Sequence, residues 1–171
     1  MHRIETQRLV LRPLTSADVD AITHAANDFE VARWLAKMPY PYTKADAEAF
    51  VAANRENGGR FWGITRQGDF CGVIGKVGAF GYWLGRDHWG NGYATEAGRA
   101  VIAVHFDAPD ARPLVAGYFE GNHRSRGVLE KLGFRANGES LQENRALGRK
   151  FRHFDMICET PPRDAYSPSS W

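Results

Sequence analysis

Cysteine is scarce in this chain: Cys71 and Cys158 are the only two thiols in 171 residues. Both lie in apolar, strand-like stretches without metal-ligand spacing, so they read as free thiols in a reducing cytosol, with one disulfide as the alternative. No apolar run approaches the roughly 20 residues that span a bilayer. Charges interrupt every short apolar patch of residues 1–12, so no signal peptide is expected. A surplus of charge is lacking too. Lys and Arg number 22 against 20 Asp and Glu, a net charge of +2, and no basic stripe stands out. Nucleic acid and anionic membranes are therefore not expected partners. The six histidines are scattered without His-x-x-x-His pairing, so no metal site is expected. What is present is an ordinary soluble composition, 43% hydrophobic and 25% charged, long enough for one well-buried domain. The expected organisation is a single cytoplasmic domain over residues 1–160 and a polar tail over 161–171.

The elements follow from periodicity and punctuation. Arg8–Arg12 alternates as a strand and stops at Pro13. Thr15 with Asp18 forms a capping box ahead of a helix carrying Val19, Ile22 and Ala26 on one face. An aromatic stretch with Phe29, Trp34, Tyr40 and Tyr42 is broken by Pro39 and Pro41. Thr43 with Asp46 repeats the box and starts a helix whose apolar spacing is Ala49, Phe50 and Ala53, ending at Gly58-Gly59. Strands at Arg60–Thr65, Phe70–Lys76 and Phe80–Leu84 read as an antiparallel meander. Then come a helix with Ala94, Ala97, Val101 and Val104, a strand at Leu114–Phe119, a helix at Asn122–Leu132 and a strand at Arg149–Cys158. The sum is a mixed α/β, or α+β, fold: one layer of sheet with helices against it.

The turn Trp89-Gly-Asn-Gly-Tyr-Ala-Thr95 joins a strand to a helix. Glycines there permit positive φ and close backbone approach. Successive N–H groups at a helix start can hold a phosphate or pyrophosphate without a basic side chain. The turn is not a P-loop, since no Gly-Lys-Ser/Thr follows, and it lacks the third glycine of the dinucleotide fingerprint. A plain turn and helix cap is the alternative when the segment is taken alone. The second motif is Asn122-His-Arg-Ser125 followed by Val128-Leu-Glu-Lys-Leu-Gly-Phe134. Asn122 suits an N-cap, and Gly133 the left-handed position after the helix.

Together with Glu5–Arg12 and Gly81–Leu84, these motifs resemble the GNAT superfamily of N-acetyltransferases, in particular its ribosomal-protein N-terminal (alanine/serine) acetyltransferase branch. The resemblance runs from about Ile4 to Cys158. It implies a twisted, mostly antiparallel sheet whose central parallel pair, Phe80–Leu84 and Leu114–Phe119, splays apart to admit acetyl-coenzyme A. The pyrophosphate would rest on the amides of Gly90, Asn91, Gly92, Tyr93, Ala94 and Thr95. Asn122 would meet the pantetheine arm, and the backbone of Trp83 and Leu84 the acetyl end. The superfamily's acid is often a Tyr at the position of Leu129. Here Ser125 fills the slot that the N-terminal acetyltransferase branch assigns to the acid, and it also belongs to the cofactor-binding set. Homodimerisation is a family-level expectation.

Amine acetylation requires a neutral amine, an oriented thioester and support for the oxyanion. Glu120, directly after the open strand, is the first candidate for the base, with His153, Asp155 and His88 as others. Glu96 reads instead as a first-turn acid favoured by the helix dipole. Phe29, Trp34, Tyr40 and Tyr42 are candidates for the acceptor wall or the core. The expected activity is acetyl transfer to a primary amine, either a protein N-terminus or a small molecule. A polycationic aminoglycoside ranks lower, since only Asp28 and Glu30 lie near the aromatic stretch. The alternative is a non-catalytic acyl-coenzyme A sensor.

Overall fold

The computed structural model describes residues 2–161, so the tail expected over 161–171 lies, Pro161 apart, outside the described residues. Five antiparallel strands form the first sheet, in the order β1 (Ile4–Glu5), β2 (Val10–Pro13), β3 (Phe61–Arg66), β4 (Asp69–Val77) and β5 (Ala79–Leu84). A second, three-stranded sheet runs β6 (Leu114–Phe119), β8 (Arg149–Cys158), β7 (Arg135–Asn144), again antiparallel. The sheet is thus parted between β5 and β6, the pair that the resemblance expects to splay. Among the described residues β5 pairs only with β4 and β6 only with β8, and no ladder joins β5 to β6 although they are neighbours. A helical crossover links them, the connection that parallel neighbours require.

Periodicity missed two strands, the two-residue β1 and the long β7. In β7, residues 135–139 are all exposed, and the pairing register with β8 shifts between Ala136 and Glu139, around Asn137-Gly138. With neither face buried along that half, no two-residue alternation is imposed on it.

The helices are α1 (Val19–Ala26), α2 (Phe29–Ala32), α3 (Lys44–Glu56), α4 (Tyr93–Phe106) and α5 (His123–Lys131). Both capping boxes form. The Asp18 carboxylate accepts the Thr15 amide at 2.8 Å and the Asp46 carboxylate accepts the Thr43 amide at 2.9 Å. Asp18 is buried and also takes a bidentate pair from Arg12, at 2.6 and 2.9 Å. Burial pushes its carboxyl up, but Arg12 and Thr15 outweigh that and hold it below the usual range.

The buried face of α3 is Ala47, Val51 and Asn54 rather than Ala49, Phe50 and Ala53, of which Phe50 is half-buried. The reason is Asn54. Its side chain bonds both the N–H and the C=O of Phe61, at 3.0 Å each, closing the start of β3. A buried polar group with both partners in place is stable there.

Side chains of a strand alternate between faces, and neighbours on β4 show where the two cores lie. Ile74 joins Leu11, Ile64, Val101, Leu129 and Leu132 in the core shared with α4 and α5. Val73 joins Leu14, Val19, Ile22 and Val51 beneath α1 and α3. Close approach of α4 to the chain after α5 requires Gly98, because a Cβ there would stand 2.6 Å from Leu132 Cδ1. Among the described residues no helix is long and apolar enough to cross a membrane. Cys71 and Cys158 are both free and buried.

Candidate active site

The glycine-rich turn leaves β5 through a short 3-10 turn, Arg86–His88, and enters α4. Gly90 and Gly92 take φ of +75° and +78°, the left-handed region that glycine occupies without strain. The first helical bond of α4 runs from the Glu96 amide to the Gly92 carbonyl, at 3.0 Å. The N–H groups of Gly92, Tyr93, Ala94 and Thr95 therefore have no intrahelical partner. Those of Gly90 and Asn91 have no backbone partner among the described residues. Asn91 turns its side-chain Nδ2 inward to the carbonyls of His88 and Trp89, at 3.2 and 3.0 Å, and so shapes the turn.

Glu96 does more than complement the helix dipole. It accepts from the Thr6 hydroxyl at 2.6 Å, the Arg8 amide at 2.8 Å and Arg8 Nε at 2.7 Å. Arg8 in turn donates to the Asn91 carbonyl at 3.0 Å. The segment before β2 is thereby tied to the turn. Burial raises the Glu96 carboxyl, while Thr6 and Arg8 together lower it below its usual range.

From this turn a cleft of about 1110 Å³ runs between β5 and β6. That lies at the upper end of ligand-binding clefts, typically ~300–1,000 Å³. Its walls include Trp83 and Leu84 on one side, Ala116, Gly117 and Tyr118 on the other, and Asn122 with Ser125 from α5. The facing edges of β5 and β6 carry backbone donors and acceptors with no ladder partner, which an extended ligand bearing amides can satisfy as an added strand would. Asn122 caps α5, its side-chain oxygen accepting the Ser125 amide at 3.2 Å. The Tyr82 hydroxyl donates to Ser125 Oγ at 3.3 Å. Burial pushes the Tyr82 phenol up to about 12, so it stays protonated. Tyr82 was not singled out from the sequence. Strand alternation places it on a face, but only the fold brings α5 across from it.

Of the four aromatics, only Trp34 lines the cleft. It sits against Gly121, where an added Cβ would be 3.7 Å away. Tyr42 is taken into the core under α1 and α3, its amide held by Asn27 Oδ1 at 3.0 Å. Phe29 and Tyr40 pack edge to face at 5.2 Å, outside the cleft wall. Glu120 is also outside it. Its side chain is 61% exposed and meets Arg152 at 3.4 Å. His88, His153 and Asp155 do line the cleft. His88 stands by the glycine turn, 6.5 Å from the Tyr93 ring. His153 and Asp155 are in contact with each other, Nδ1 to Oδ1, at 2.8 Å.

Residues 8–135, well over half of the chain, match the Acetyltransferase (GNAT) domain family. An uncharacterised N-acetyltransferase of Bacillus subtilis, YoaA, is 32% identical over 149 residues, covering 79% of this chain and 84% of that protein. Among solved structures, RimL, a ribosomal L7/L12 α-N-protein acetyltransferase in complex with coenzyme A, superposes with a TM-score of 0.83 at 19% identity. That match covers 93% of this chain and 98% of RimL. The ribosomal-protein-S5-alanine acetyltransferase of Vibrio fischeri gives a TM-score of 0.79 at 19% identity, over 98% and 100% of the two chains. At such identities the structures speak for a shared fold. The domain match and the Bacillus relative carry the assignment further: the chain belongs to the GNAT family of acetyltransferases.

Proposed function

We propose that this acetyltransferase uses acetyl-coenzyme A as its acetyl donor and a primary amine as acceptor, with a peptide or protein N-terminal α-amine as the preferred class. The observation that carries the reading is the cleft itself. It has unpaired amides at one end, two unpaired strand edges along its length and an aromatic, ionisable end beyond them. Such amides suit a pyrophosphate, and the edges suit the amides of a pantetheine arm. The two ribosomal-protein acetyltransferases of like fold, one with coenzyme A bound, support the donor and the acceptor class. So does simple acid–base chemistry. An α-amine has a pKa of ~7.7–8.0 and a lysine side chain ~10.4, so neutralising the former is easier by about 3.4 kcal/mol near neutral pH. A small-molecule amine with a lowered pKa is the second acceptor class.

Within this reading the amides of residues 90–95 hold the phosphates. Asn122 flanks the pantetheine arm, and the backbone of Trp83 and Leu84 orients the acetyl group. Ser125 protonates the departing thiolate, with the Tyr82 hydroxyl behind it. Trp34 walls the acceptor end. Thiol release from acetyl-coenzyme A, followed over a panel of peptides, polyamines, aminoglycosides and small amines, tests it. Turnover on peptides beginning with Ser or Ala, and a fall in kcat of about 10²–10⁴ for Ser125→Ala, are expected for loss of a general acid. Turnover confined to aminoglycosides, or an unchanged kcat in the variant, counts against the acceptor class or the acid respectively.

A further inference from the structure

We propose that His153 is the base that takes the proton from the acceptor ammonium, with Asp155 as the residue that positions it; this rests on the acetyl-transfer reading above. Strand alternation sets His153 and Asp155 of β8 on one face, and both line the cleft. Asp155 Oδ1 lies 2.8 Å from His153 Nδ1 and also accepts the Ser140 hydroxyl, at 3.1 Å. Gln142 Nε2 extends the chain to Ser140 Oγ at 3.4 Å. A carboxylate on Nδ1 selects the tautomer that carries its proton there, leaving a lone pair on Nε2. Among the described residues Nε2 has no hydrogen-bond partner.

The ring is held as well as hydrogen-bonded. It packs edge-on against Phe119, centroids 5.3 Å apart. It also covers Gly117, where a Cβ would stand 2.1 Å from His153 Cε1 and 2.8 Å from Nε2. Only a glycine on β6 gives the imidazole this place. His153 pairs in register with Phe119, and Trp34 packs on Gly121 two residues later, so base and acceptor wall share one end of the cleft. The neighbours that β6 and β7 set against the ring, Gly117, Phe119 and Ser140, do not titrate near neutrality, so among the described residues Asp155 is the charge that faces it. Arg152, Glu139 and Glu120 form a separate exposed cluster from the alternate strand positions. That leaves Glu120 paired elsewhere and His88 at the glycine turn.

The proton balance is simple. His153 Nε2 takes one proton from R–NH3+, and the freed lone pair forms the C–N bond to the thioester carbon. The C–S bond breaks, its electron pair leaves on sulfur, and the thiolate is protonated. The second ammonium proton lost on amide formation, like the one on His153, passes to solvent or to the thiolate. One proton is released in all.

The test is kcat/KM against pH for wild type, His153→Gln and Asp155→Asn on a Ser- or Ala-initiated peptide, or on whichever panel amine turns over. Acetyl-coenzyme A binding by calorimetry and amine-free hydrolysis of acetyl-coenzyme A are read alongside. A base predicts a loss on the order of 10²–10⁴ near neutrality for His153→Gln. The loss shrinks toward pH 9, where the α-amine is already neutral, and calorimetric binding is unchanged. Asp155→Asn should lose less and displace the acid limb of the profile. A loss under tenfold, or one equally large at every pH, overturns the assignment while acetyl transfer stands. Wild type that binds acetyl-coenzyme A yet releases no thiol to any amine or to water overturns the acetyl-transfer reading and this assignment with it.

Discussion

Gly117→Ala puts the claim about the acceptor end under direct mechanical strain. The added Cβ falls 2.1 Å from His153 Cε1 and 2.6 Å from the Phe154 carbonyl oxygen. Ordinary contact begins near 3.4 Å, so the ring must retreat by 3.4 − 2.1, about 1.3 Å, and the carbonyl by less. A misplacement of ~1 Å in a reacting group can lower the rate by about 10². Because the second clash is with backbone, the β6–β8 pair must also part slightly, an overpacking cost of about 1–3 kcal/mol. For a chain of this size that corresponds to a fall in Tm of roughly 2–4 °C per kcal/mol. The assay pairs thermal unfolding with thiol release at neutral pH. We expect a folded protein, a Tm lower by several degrees and kcat/KM down by about 10². Adding His153→Ala to Gly117→Ala should recover part of the Tm and none of the activity. Wild-type kcat/KM in a folded Gly117→Ala protein would refute the reasoning, since the imidazole could then leave its place without consequence.

Two further outcomes concern the frame around the cleft. Asn54→Ala strips both partners from the Phe61 backbone at the start of β3. Leaving such groups unsatisfied costs about 1–3 kcal/mol each, and urea unfolding should show a lower midpoint with an unchanged slope. The second outcome is a pH dependence. The carboxyls of Asp18 and Glu96 are lowered in the folded state. Their contribution is therefore complete above the unfolded values, ~3.9 and ~4.3, and is lost as pH falls through the lower folded values. Tm should fall below about pH 4, and Glu96→Gln should lower Tm at pH 7 while flattening that acid limb; an unchanged limb would show that Glu96 does not titrate there.

Much of the scaffold was legible because its determinants are local. Capping boxes at Thr15/Asp18 and Thr43/Asp46 need only residues three apart, and the meander over β3–β5 needs only alternation and short turns. The glycine-rich turn was legible for the same reason, since positive φ at Gly90 and Gly92 is a property of the turn itself. β7 was not, because its first half is exposed on both faces and the inward positions of its second half, Ser140, Gln142 and Asn144, are polar, so no apolar alternation is left. The face of α3 was misplaced because a buried Asn54 reads as polar until Phe61 is seen beside it.

The chemistry divides along the same line. Sequence alone determined the two motifs that form the glycine-rich turn and the Asn122–Ser125 cap, both built from consecutive residues, and with them the family. Tertiary structure decided which of the scattered groups share the cleft. It took Tyr42 into the core, turned Phe29 to Tyr40, gave Glu120 to Arg152 and brought Tyr82 to Ser125. It also set His153 over Gly117, 36 positions earlier by subtraction of their numbers. Contacts between distant positions depend on sheet register and on the parting of β5 from β6, and neither leaves a mark on the local pattern of residues.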